Sequence, residues 1–217
     1  MGSSARSAVL GLSLLASVAP FSASADQGAI TLDAGAGASV LRVVAPYADT
    51  ASSQVGSAPA IWIDGRYALT NSIELTATAF MEASVPFYVA GTTITSDAGK
   101  LSGTLEMRAR RYGMMAGARL LHGNIWRLIV GGDVGWALSS YSSLRLIDQA
   151  NPSGPRDFGL ALPDKTASSL VLAPSAGISW VGDKLSVTVL PRFQALLGSS
   201  RTWAITVPLT IGWDWYL

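Results

Sequence analysis

Residues 203–217 read WAITVPLTIGWDWYL, and their alternation leaves few folds open. Every odd position carries a large apolar side chain: Trp203, Ile205, Val207, Leu209, Ile211, Trp213, Trp215 and Leu217. The even positions, Ala204, Thr206, Pro208, Thr210, Gly212, Asp214 and Tyr216, are mostly small or polar. A period of two without a break is that of a strand with one apolar and one polar face.

The same period recurs upstream. Strands are expected at 28–44, 59–69, 72–89, 103–121, 125–138, 167–181, 185–197 and 203–217. Three connections are tight, at 70–72, 122–124 and 182–184, and carry turn residues such as Asn71, Gly123 and Gly182. The others, 45–58, 90–102, 139–166 and 198–202, are longer and alternate with them. Short turns at one end and long loops at the other are the pattern of an antiparallel outer-membrane barrel. The tight turns are then expected in the periplasm and the long loops outside the cell. Hydrophobic residues make up 49% of the chain, yet no segment beyond the leader offers the roughly 18 consecutive apolar residues of a helical span. Apolar content spread as alternation suits strands that face lipid.

Residues 1–25 read as an export signal, with Arg6, an apolar stretch over 8–19 and Ala23-Ser24-Ala25 as the cleavage site. That leaves one domain, 26–217. The net charge of +1 gives no electrostatic case for nucleic acid. With no cysteine there is no disulfide framework.

The aromatics fall in two sets. Tyr67, Trp126, Trp180, Trp213 and Trp215 lie beside short turns or the C-terminus. Trp136, Phe193 and Trp203 lie toward the long loops. Trp126 to Trp136 spans ten residues, roughly 25 Å of height for a tilted strand. Two interfacial girdles around a lipid-facing band fit that spacing, whereas a soluble sandwich or barrel has no reason for it. The expected fold class is therefore all-β, an eight-stranded antiparallel up-and-down transmembrane barrel. In this pattern the chain resembles the small eight-stranded outer-membrane barrels typified by the OmpA transmembrane domain and OmpX. Its Leu209, Ile211, Trp213, Trp215 and Leu217 resemble the C-terminal signal read by the barrel-assembly machinery, with Leu217 where an aromatic is usual. The resemblance implies an outer-membrane location, outer-membrane lipid and that machinery as partners.

A lumen charge network is expected from Asp33, Asp64, Arg66, Glu74, Glu82, Glu106, Arg108, Arg110, Arg119, Arg127, Asp133, Arg192 and Asp214. Placing Glu106, Arg108 and Arg110 inside requires Leu105, Met107 and Ala109 to face out, and hence a one-residue slip at Arg110-Arg111. Arg119 and Arg127 count as like-charged cross-strand neighbours with Glu74 the nearest carboxylate. Lumen-facing Trp62 and Phe80 argue for a plugged interior. Pro174, Pro191 and Pro208 lie on three consecutive strands, where proline cannot donate to a ladder; they suggest a weak seam, bulges at one height, or a lateral opening.

Chemistry is thinly signalled. His122, the one histidine, falls in a short turn, and no metal, cofactor or catalytic set is expected. The 139–166 segment is either a surface-contact loop or strand continuing above the membrane. The leading expectation is a structural or cell-surface interaction role. A narrow channel for small or apolar solutes is the alternative, and a lipid-modifying enzyme the third.

Overall fold

The computed structural model describes residues 27–49, 52–97, 99–198 and 202–215. The leader over 1–25, Tyr216 and Leu217 lie outside the described residues. The strands are β1 (Ile30–Val44), β2 (Ser53–Thr70), β3 (Ile73–Glu82), β4 (Val85–Ser96), β5 (Gly99–His122), β6 (Trp126–Asp148), β7 (Arg156–Asp157), β8 (Lys165–Val181), β9 (Leu185–Val189), β10 (Arg192–Gly198) and β11 (Thr202–Trp215). β3 and β4 form one wall member, interrupted at Ala83-Ser84, and β9 and β10 form another, interrupted at Leu190-Pro191. β7 only extends the edge of β6. Eight wall members remain, each antiparallel to its neighbours, and β1 pairs with both β2 and β11. The ring is closed.

Its stagger can be counted from the pairing. Ala58 faces Ser39, Ser39 faces Thr206, Thr206 faces Arg192, and Arg192 faces Ser175. Ser175 faces Gly131, Gly131 faces Arg119, Arg119 faces Glu74, and Glu74 faces Ala68. One circuit thus returns to β2 ten residues further on (68 − 58). A shear of that size on eight strands tilts the wall strongly and leaves an interior that side chains can fill.

The outer surface of the turn-end half is apolar. Ile61, Ile63, Leu128, Val134, Leu209 and Ile211 are each at least half exposed. Such a continuous belt is unsuited to water and matched to hydrocarbon. The aromatics at its borders, Tyr67, Trp126, Trp180, Trp213 and Trp215 below and Trp136, Phe193 and Trp203 above, all lie on outward positions.

Three sequence expectations are corrected. First, the wall continues well beyond the belt. β2 begins at Ser53, the β4–β5 hairpin reaches Gly99, and β6 runs to Asp148, so much of the expected loops at 45–58, 90–102 and 139–166 is strand. Second, β5 does not slip at Arg110-Arg111. It holds one register against β6 from Arg108 opposite Ser142 to His122 opposite Leu128. The irregularity lies higher, between Glu106 and Arg108, with the extra residue on β6 beside Ser143, whose φ is 55°. Glu106, Arg108 and Arg110 therefore face outward, while Leu105, Met107 and Ala109 are buried at 0%, 0% and 6% exposure. The side chains keep their phase; it is the surroundings that change, from lipid outside the wall to water outside it. Third, Arg119 faces Gly131 rather than Arg127.

Candidate functional site

The lumen divides into layers. At the turn end Arg66 bridges strands. Its Nε donates to Asp33 Oδ2 at 2.5 Å, its Nη2 to Asp33 Oδ1 at 2.9 Å and to Ser186 Oγ at 3.0 Å, and its Nη1 to Glu74 at 3.3 Å. Thr31 donates to Asp214 at 2.5 Å in the same layer. Gly212 leaves room there: a Cβ on it would meet the Asp33 carboxylate and the Ser186 hydroxyl, and these would have to shift. Arg127 lies lower still, its Nε on the Asn124 carbonyl at 3.1 Å.

Asp64 centres the middle layer. It accepts from Arg192 at 2.7 Å, Arg119 at 3.2 Å and Thr78 at 2.5 Å. One carboxylate thus holds two guanidiniums that are almost wholly buried. Asp133 accepts from Thr76 at 2.6 Å. Above these, Glu82 accepts from Ser39 at 2.6 Å and is ion-paired with Arg111, which also lies 5.5 Å over the Phe80 ring. Taking such ions out of water costs several kcal/mol each, and only pairing and further hydrogen bonds offset it. Sequence reasoning missed Arg111. Its parity with Arg119, eight residues on along one unbroken strand, was the available signal.

Two apolar clusters lie inside the ring. Trp62 and Phe80, 1% and 4% exposed, pack with Met115, Val171 and Leu196 at the level of the ion pairs. Toward the loop end a larger core gathers Leu41, Val43, Phe87, Val89, Leu105, Met107, Leu144 and Leu146. Between them a cavity of about 20 Å³ borders Arg111, Tyr141 and Leu196, room for about one water molecule. Several buried polar atoms have no protein partner among the described residues, including Arg192 Nε and Nη1, Ser175 Oγ, Thr206 Oγ1 and the Gln194 amide. Ser175 and Thr206 face Arg192 across β8 and β11, so this polar girdle lies at one height.

The three prolines gather on one seam. β9 and β10 keep the same register to both neighbours on either side of Leu190-Pro191, so no bulge is present. The bonds there are long: Ala176 N to Pro191 O at 3.2 Å and Leu190 N to Pro208 O at 3.4 Å. His122 ends β5 at the turn end, and no group of three or more His, Cys, Asp or Glu among the described residues is placed to hold a metal.

No family model and no curated protein sequence matches this chain. Solved structures do. Ail, the attachment invasion locus protein of Yersinia pestis, is similar at 13% identity and a TM-score of 0.53, covering 87% of this chain and 99% of Ail. Neisserial surface protein A is similar at 12% identity and a TM-score of 0.57, covering 87% of this chain and all of that one. The fold is that of the small eight-stranded outer-membrane β-barrels. At such identities the likeness carries the fold and nothing about residues or activity.

Proposed function

We propose that this chain is an integral outer-membrane barrel with a sealed lumen and a non-enzymatic, structural or surface-contact role. It would be exported by residues 1–25, seated by its aromatic girdles, and inserted through its last strand, with Leu209, Ile211, Trp213, Trp215 and Leu217 as the assembly signal. The tight turns then face the periplasm and the long walls the exterior. The observation that carries the sealed lumen is the stacking of two blocks in one bore, Trp62 and Phe80 beside the ion pairs, and the apolar core above. An ion entering from either end meets side chains rather than water.

A surface role is supported by the extracellular wall itself. It is rigid strand nearly to the loop at 149–164, and rigid scaffolds present contact surfaces well. A crystal structure of Ail in complex with the heparin analogue sucrose octasulfate exists; a polyanionic surface partner is the corresponding proposal here. Planar-bilayer recording tests the sealed lumen. Silence is expected from the wild type, and steady single-channel steps would remove the reading.

The proline seam favours a second reading, lateral exchange of an apolar solute between β8, β9/β10 and β11. Amide exchange decides it: rapid exchange confined to Ala176 and Leu190 supports opening, and full protection on both sides of the prolines removes it.

A further inference from the structure

Arg192 is held inside the ring through one nitrogen only. Its Nη2 donates to Asp64 at 2.7 Å, while Nε and Nη1 are buried with no protein partner among the described residues. Its neighbours share that condition. Ser175 on β8 and Thr206 on β11 stand opposite it in register, and neither hydroxyl has a described protein partner. Gln194, two residues on along the same inner face of β10, leaves both ends of its amide unpaired. Gln194 and Thr206 are 0% exposed and Arg192 is 1% exposed. Burying polar groups without partners is unfavourable, and these are gathered on three adjacent strands rather than scattered.

The chemistry of the set is lopsided. The guanidinium can only donate, the Gln194 carbonyl can only accept, and the Gln194 NH₂ and both hydroxyls add further donors. Trp62 Nε1, a donor only, is also buried without a described partner, in the cluster that holds Ala173 and Leu196. Ala204 stands opposite Gln194 on β11, so a small side chain borders the amide. The charge is lopsided as well. Arg119 and Arg192 share the carboxylate of Asp64. Asp133 accepts from Thr76 and forms no ion pair with a described residue. The Arg119–Asp64–Arg192 group thus carries a net positive charge, and a desolvated charge is costly unless something pairs with it. A water molecule would bring further hydrogens to a donor-rich layer and no charge. A ligand that only accepts and is negatively charged meets both needs.

We infer that Arg192, Gln194, Ser175 and Thr206 bind a small monovalent anion, a halide such as chloride, inside the bore. Monovalence follows from the charge, since a doubly charged oxyanion would reverse it rather than neutralise it. The site belongs to the ring and its ion pairs, and is independent of the membrane seating and surface role proposed above.

The test starts from the full barrel unfolded in urea and refolded in detergent with sodium bromide as the sole halide, so that the ion is taken up as the ring closes. Crystals of that protein are measured at the bromine absorption edge. An ordered anomalous peak is expected within hydrogen-bonding reach of Arg192 and the Gln194 amide. Bromide confined to the outer surface, or water alone at Arg192, overturns the site. Unfolding in urea is then followed at fixed ionic strength, with chloride replaced stepwise by the much larger gluconate. Above the dissociation constant, each tenfold rise in chloride should lower the unfolding constant about tenfold. Gln194→Met/Thr206→Val keeps Arg192 on Asp64 and removes two of the groups on the ion. Its unfolding should lose the chloride dependence, with heat-modifiable gel mobility checking that it folds. Indifference of the wild type to chloride overturns the site, and so does a variant that keeps the wild-type dependence, by assigning it to salt in general. Should the variant not fold, the bromide peak in the wild type decides.

Discussion

Two lengths of β5 have opposite cross-sections. From Tyr112 to Leu120 the outer face is Tyr112, Met114, Ala116, Ala118 and Leu120, and the inner face ends in the buried Arg119. From Leu105 to Arg110 the outer face is Glu106, Arg108 and Arg110, and the inner face is Leu105, Met107 and Ala109. The lower length is built for hydrocarbon outside and ion pairs inside; the upper is built as any water-soluble barrel is. One strand, one register and one pleat serve both. Which face takes the apolar residues follows from the solvent at that height.

Each half should fail in its own way. The largest loss is expected from Asp64→Ala, which strands Arg119 and Arg192 without their shared carboxylate. About 3–5 kcal/mol should go, read from urea-unfolding curves in lipid vesicles. Leu105→Ala should cost about 2–5 kcal/mol, as in a soluble core, while Leu128→Ala on the lipid face should cost clearly less. Equal costs would erase the distinction between the halves. Val134→Arg, in the middle of the belt, should cost about 2–4 kcal/mol, whereas Arg110→Val above it should leave stability nearly unchanged.

The smallest effect concerns Tyr141, in the upper core. Burial raises its phenol above the ordinary value of 10.0, against weaker opposing pulls from Ser139 and Arg111. A folded-state pKa above the unfolded one means that stability is constant at lower pH and falls as pH rises from about 10 through the folded value. Unfolding midpoints should be flat from about pH 7 to 9 and then decline, with Tyr141→Phe removing the part of that decline due to this group.

The lower half was legible because one rule, polar in and apolar out, reads every strand there. Trp203 to Trp215 alternate without a fault, and turns such as Thr70-Asn71-Ser72 mark where the chain reverses. The structure places Asp33, Asp64, Arg66, Glu74, Glu82, Arg119, Arg127, Asp133, Arg192 and Asp214 inside the ring, and it partners Arg119 and Arg192 through Asp64. That sharing depends on the shear of the ring, which no single strand encodes. The upper half was illegible for a different reason. Alternation reports that two faces differ but not which one is inside, so the sequence alone puts Leu105, Met107 and Ala109 on the lipid face and leaves Arg111 out of the lumen. Only the structure shows that β5 keeps one phase from Leu105 through Leu121, so the apolar set changes face with the solvent and not through an extra residue in β5.

The most direct test is a spin-label scan along β5, from position 104 to 120, in lipid vesicles, comparing collision with oxygen and with a water-soluble nickel chelate. The account predicts oxygen-rich, nickel-poor even positions from 112 to 120, switching to nickel-accessible even positions from 110 to 106, with odd positions shielded from both throughout. Oxygen-rich odd positions at 105 to 109, or nickel access at 114 to 118, would contradict it.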